Sequence, residues 1–205
     1  MAVSDDQSGP GPALPQGPYW KTPYLYGEAE ALNSMGTIAA PLLAGFSLAA
    51  MVQVLTVNAA ETRWPDAALL LFLLAAVMFV ACVQAMFWAR GYQVTPPEIK
   101  DWWPDAVDPE RMDQLRREQE LHSAGFRMWS DRGRLTYAAG LLCLLAALTV
   151  LAVPPDHGQS SIVRWLAVAV GSAAFTAETV WTFGSFTSPV RRPRWVTRLL
   201  EPPAS

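Results

Sequence analysis

The sequence predicts an all-α membrane protein: four transmembrane helices arranged as two hairpins, with a helical cytoplasmic connector between helices 2 and 3. Three observations predict it. Of 205 residues, 52% are hydrophobic and only 16% are charged, where a globular domain carries about a quarter charged. Four segments are each long enough to cross a hydrocarbon core of about 30 Å, and they are apolar on every face. Buried helices of a soluble bundle would instead show a polar side at the helical period. Finally, thirteen of the fifteen Lys and Arg fall on one side once the segments are threaded through a bilayer.

Residues 1–18 are rich in Pro, Gly and Ser, cannot bury a core, and are expected to form a disordered tail. They lack a basic stretch followed by an apolar one, so no cleavable secretion signal is expected. Residues 19–183 form the expected four-helix domain, opening with Tyr19, Trp20, Tyr24 and Tyr26 around Lys21. That is the composition of a headgroup-level belt, and also of a loop packed on protein.

The first span, about 35–57, has no charge, and Pro41 within it predicts a local kink or a strained first turn. The second, about 67–89, ends at Phe87 and Trp88 with Arg90 just beyond. Pro154 and Pro155 stop the third, about 135–153. The fourth, about 163–183, has Arg164 at its start and Glu178 inside it. Only Arg63 and Arg164 mark the short outer connections, so the positive-inside rule puts both termini and the connector, 90–134, in the cytoplasm. The expected location is a plasma membrane, bacterial in type. An internal duplication is also conceivable, since Arg63-Trp64 and Arg164-Trp165 open the second and fourth spans alike. Such residues collect at membrane boundaries in any case.

Within the connector, Thr95-Pro96-Pro97-Glu98 has the form of a capping box. The short helix it opens carries Ile99, Trp102 and Trp103 on one side, suiting either the membrane interface or a neighbouring cytoplasmic helix. Asp108-Pro109-Glu110 starts a second helix, and no proline follows until Pro154. One helix can therefore run from Pro109 through the third span, with Gly125, Gly133 and Gly140 as its weak points. Met112, Leu115, Gln119, His122, Phe126 and Trp129 alternate at spacings of three and four along it, an association seam with a polar middle. The seam suits self-association, and equally a helix laid against the protein's own N-terminal segment. The tail, 184–205, is basic and amphipathic: Arg191, Arg192, Arg194 and Arg198 around Trp195 should hold it on anionic lipid.

Intramembrane charge is costly and marks a functional site by default. Glu178 is the one acidic residue well inside a span, and Gln84 and Thr37 lie at comparable depth in two others. This polar layer could bind a proton or cation, line a constriction in an oligomer, or serve as hydrogen-bonded glue between helices. Cys82 and Cys143, each inside an apolar run, suit small buried hydrophobes. His122 and His157 fall on opposite sides, and no metal-ligand spacing, nucleotide loop or nucleophile motif occurs. No cofactor, metal or catalytic residue is therefore expected. With nine acids against eight bases the connector does not suit nucleic acid. The expected partners are the lipid bilayer, a cytoplasmic protein and, in principle, further copies of the chain. Two functions fit: a non-enzymatic anchoring or interaction subunit working through the connector, or an oligomeric pore or ion pathway using Glu178 and Gln84.

Overall fold

The computed structural model describes residues 27–56, 62–94, 98, 101–102, 109–155 and 162–187. The described residues are helical throughout apart from short turns, with no strand among them. Four helices result: α1 (Glu28–Thr56), α2 (Pro65–Gly91), α3 (Pro109–Ala152) and α4 (Ile162–Thr187). All four are long and apolar enough to span a membrane. The N-terminal tail, the aromatic cluster before residue 27, Trp103, the cap at Asp108 and the basic tail with Trp195 lie outside the described residues.

The first helix starts seven residues before the expected span. Gly27, with φ of +81°, takes the left-handed conformation that lets the chain enter the helix, and Glu28 and Glu30 complement the dipole of the first turn. Pro41 has its expected effect in an unexpected form. A proline here has no N–H for the carbonyl four residues back and would collide with it. The chain answers with a wider π turn over Met35–Ala39, in which the Ala40 N–H reaches the Met35 carbonyl. The helix thus continues to Thr56 without a break.

Helix α2 is the centre of the bundle. Ala68, Phe72, Ala75, Phe79, Cys82, Met86 and Ala89 are buried, at alternating spacings of four and three, the pattern of a knobs-into-holes seam. Against it α1 turns a small-residue stripe of Gly36, Ala40, Ala44 and Ser47. Lipid is as apolar as leucine, so membrane helices associate through such close backbone approach. Ser47 is fully buried, and its hydroxyl donates to the Leu43 carbonyl at 2.8 Å.

The opposite flank of α2 meets α3, the largest helix contact in the molecule. Three glycines of α3 form notches for two α2 side chains and the cap residue that follows them: Gly140 takes the ring of Phe79, Gly133 takes Met86, and Gly125 takes Tyr92. The pairs run in opposite order along the two helices, which fixes them as antiparallel. Met86 is shared, because Gly36 of α1 closes on it from the other side. The residues expected to weaken α3 are therefore what allow it to pack.

Helix α3 is a single unbroken helix of 44 residues, about 66 Å long at 1.5 Å per residue. Its apolar part begins at Leu135; of the 26 residues before it, those from Gly125 on still lie against the end of α2 and its cap residue Tyr92, and the preceding ones extend past it. Near the boundary, Arg134 pairs with Glu28 at the start of α1 and, at 3.8 Å, with Asp131. Both partners of the Arg134–Glu28 pair are partly exposed, so the contribution should be modest, about 0.2–1 kcal/mol. Arg134→Glu is expected to lower the melting temperature slightly in detergent, and adding Glu28→Arg to restore it. A second loss on adding Glu28→Arg would refute a direct pairing.

Helix α4 rests chiefly on α3. Val168, Gly171, Ala174, Glu178 and Thr182 form its half-covered stripe, and Gly171 approaches the Thr149 side chain so closely that a Cβ there would fall 2.5 Å from the hydroxyl. Its other faces are open, although its membrane-length stretch is the least apolar of the four.

Candidate functional site

The three residues of the expected polar layer occupy separate places. Thr37 is exposed on α1, where its hydroxyl donates to the Asn33 carbonyl at 2.7 Å inside the π-turn region. Glu178 is half-buried on the seam between α4 and α3, within electrostatic reach of the Tyr137 phenol. Gln84 is exposed on the outside of α2. Equal depth does not give equal direction. At about 100° per residue, Gln84 points away from the buried row of Cys82, Met86 and Ala89.

The seam of the polar half is placed more coherently. Leu115, Gln119 and Phe126 are buried, and Met112, His122 and Trp129 are half-buried, so the six share one covered face of α3. Much of that face is used within the chain. Phe126 belongs to the main core with Leu32 and Met86. His122 donates from Nδ1–H to the Glu118 carbonyl at 2.9 Å and lies beside Tyr92, with ring centres 6.2 Å apart. Trp129 stacks on Trp88 of α2, centres 6.1 Å apart and planes 25° from parallel. Gln119 is buried with its Nε2 lacking a hydrogen-bond partner among the described residues. Trp102 of the preceding segment is exposed.

Between α2 and α3, on the outside of the bundle, the Trp88–Trp129 stack walls a pocket of about 340 Å³ that also presents Gln84, Arg132, Leu135 and Thr136. Arg132 lies with its guanidinium carbon 4.7 Å from the centre of the Trp129 ring, a cation–π geometry. The Thr136 hydroxyl donates to the Arg132 and Gly133 carbonyls, each at 3.0 Å. The site combines one cation, one amide and two indoles at the level where α3 turns apolar, a set suited to binding and not to proton transfer.

Sequence reasoning missed this pocket, although its parts were in view. Trp88 closes the second span, and Trp129 and Arg132 stand one turn apart just before the third. What was lacking was the antiparallel pairing of α2 with α3, which brings the two boundaries together. Cys82 is buried and Cys143 half-buried, both as free thiols. Among the described residues no three His, Cys, Asp or Glu side chains converge as a metal site. Compared with known protein families, curated proteins and solved structures, the chain shows no match to any of them.

Proposed function

We propose that the protein is an integral membrane interaction subunit, with both termini and the 90–134 segment in the cytoplasm, whose polar half of α3 docks a cytoplasmic protein. The lopsided Lys and Arg distribution supports this orientation. Four spans in two antiparallel hairpins then anchor one long helix that reaches well beyond the headgroups.

The observation that carries the reading is the outer face of α3. The inner face is occupied within the chain, yet Leu121, 73% exposed, and Met128, 45% exposed, stand seven residues apart on the outer one. Ala124 lies between them, and Glu118, Glu120, Arg127 and Asp131 flank the row. An apolar line at heptad spacing edged by charges of both signs is what a partner helix would recognise. Docking therefore belongs on Leu121 and Met128 and not on the Phe126–Trp129 face.

A photo-crosslinking side chain at position 121 or 128 tests this in native membranes. One discrete adduct is expected at each position, lost when the other is changed to Asp. An adduct of twice the chain mass would identify the partner as a second copy. Uncrosslinked protein at both positions, with normal membrane insertion, would overturn the reading. The pore alternative has weaker support, because Gln84 opens onto the outer pocket whereas Glu178 lies on the α3–α4 seam.

A further inference from the structure

The pocket between α2 and α3 has three features that together fit a ligand, two of them employed by neither the helix packing nor the docking face. The first is the charge of Arg132. Its neighbour Arg134 takes Glu28 and Asp131, whereas Arg132 has no carboxylate partner among the described residues. Stacking over Trp129 aims its planar N–H fork, which matches phosphate oxygens in pairs.

The second is the amide of Gln84. It stands on the exposed side of an apolar helix, in the pocket wall, with no hydrogen-bond partner among the described residues. A bare amide facing hydrocarbon is strongly disfavoured, and an ester or phosphate oxygen would satisfy it. The third is depth. Trp88 and Trp129 stack where the apolar part of α3 begins, the level at which indoles collect beside lipid headgroups. Beneath them Ala81 and Ala85 leave an apolar slot.

We propose that this pocket binds one anionic phospholipid. Arg132 donates to its phosphodiester, Gln84 donates to the glycerol-ester region, and one acyl chain lies along the slot beside Leu135. An anionic headgroup is favoured over a zwitterionic one, because the second carries its own ammonium and leaves the charge of Arg132 unmatched. A free phosphate would use Arg132 but neither the indole wall nor the slot. The proposal needs α2 and α3 to lie in the membrane and does not depend on the docking face.

Native mass spectrometry of the full chain in neutral detergent, titrated with phosphatidylglycerol or phosphatidylcholine, tests it. One phosphatidylglycerol is expected to bind in preference to phosphatidylcholine. Arg132→Gln should weaken that binding about tenfold, the effect of one charge-assisted hydrogen bond, and Gln84→Leu about threefold. Arg117→Gln makes the same change in net charge on an exposed, remote part of α3 and should leave it unaltered. Equal binding of the two lipids, equal losses in the Arg132 and Arg117 variants, or displacement of the lipid by inorganic phosphate would each overturn the assignment. Melting in lipid-free detergent separates a binding loss from a folding loss, and Gln84→Leu, at an exposed lipid-facing position, gives a second reading if the Arg132 variant melts early. Crosslinking at Leu121 and Met128 is read independently, so the failure of one proposal is distinguishable from that of the other.

Discussion

Gly133→Ala is expected to destabilise the bundle by about 1–3 kcal/mol, and to add little further loss in a chain that already carries Met86→Ala, whose own cavity cost is separate. A Cβ on Gly133 would lie 2.6 Å from the Met86 sulfur and 3.3 Å from its Cγ. Met86 is 4% exposed and has nowhere to retreat, because Gly36 bounds it on the other side. Truncation to Ala removes the atoms that collide with position 133. It does not help Gly36→Ala, whose Cβ would lie 2.6 Å from the Met86 Cβ itself. Two double-mutant cycles, read by unfolding in mixed micelles, should therefore differ: strong coupling between positions 133 and 86, of about 0.5–3 kcal/mol, and no rescue at position 36. Equal rescue at both glycines, or coupling at neither, would show that Met86 is not wedged between the three helices.

Phe126→Ala carries the second large effect, about 3–5 kcal/mol. Phe126 is buried in the polar half of α3, so its ring is uncovered to water and not to lipid when that half loosens. It should therefore lose the full transfer free energy as well as its packing. A truncation at Phe79 keeps the cavity cost but not the transfer cost, since lipid is as apolar as the side chain removed. The expected consequence of Phe126→Ala is loosening of the 109–134 stretch, measured as faster amide exchange and faster proteolysis there, with the spans unaffected. Unchanged exchange would mean that the ring contributes nothing to holding α3 against α1 and α2.

This second expectation shows where the sequence was informative and where it was not. The spacing of Leu115, Gln119, Phe126 and Trp129 was enough to mark one face of a helix, because burial follows the helical period. It carried no information about what covers that face, which depends on Tyr92, Trp88 and Leu32 arriving from distant parts of the chain. The spans themselves were legible because each is apolar all round. The helix that carries the first starts earlier than its apolar run, since Glu28, Glu30 and Asn33 break the apolarity while remaining helical. The unbroken run of α3 was legible from the lack of proline. Its glycines were misjudged because helix propensity counts their cost and cannot see the side chains that fit into them. Gln84 could have been placed correctly, as its direction relative to Cys82 and Met86 follows from the helical period alone. Its grouping with Glu178 and Thr37 rested on depth, one coordinate of the two that matter.

The continuity of α3 also has a mechanical consequence. With no proline between Pro109 and Ala152, the helix would tilt as one rod about the Arg134–Glu28 pair and the Met86 notch. The polar arm, before Leu135, is about 40 Å long and the apolar arm beyond it about 27 Å. A tilt of about 10° would swing the polar tip by about 7 Å and the far end the opposite way by about 5 Å. Because α4 leans chiefly on the apolar arm, it is the element such a stroke would displace.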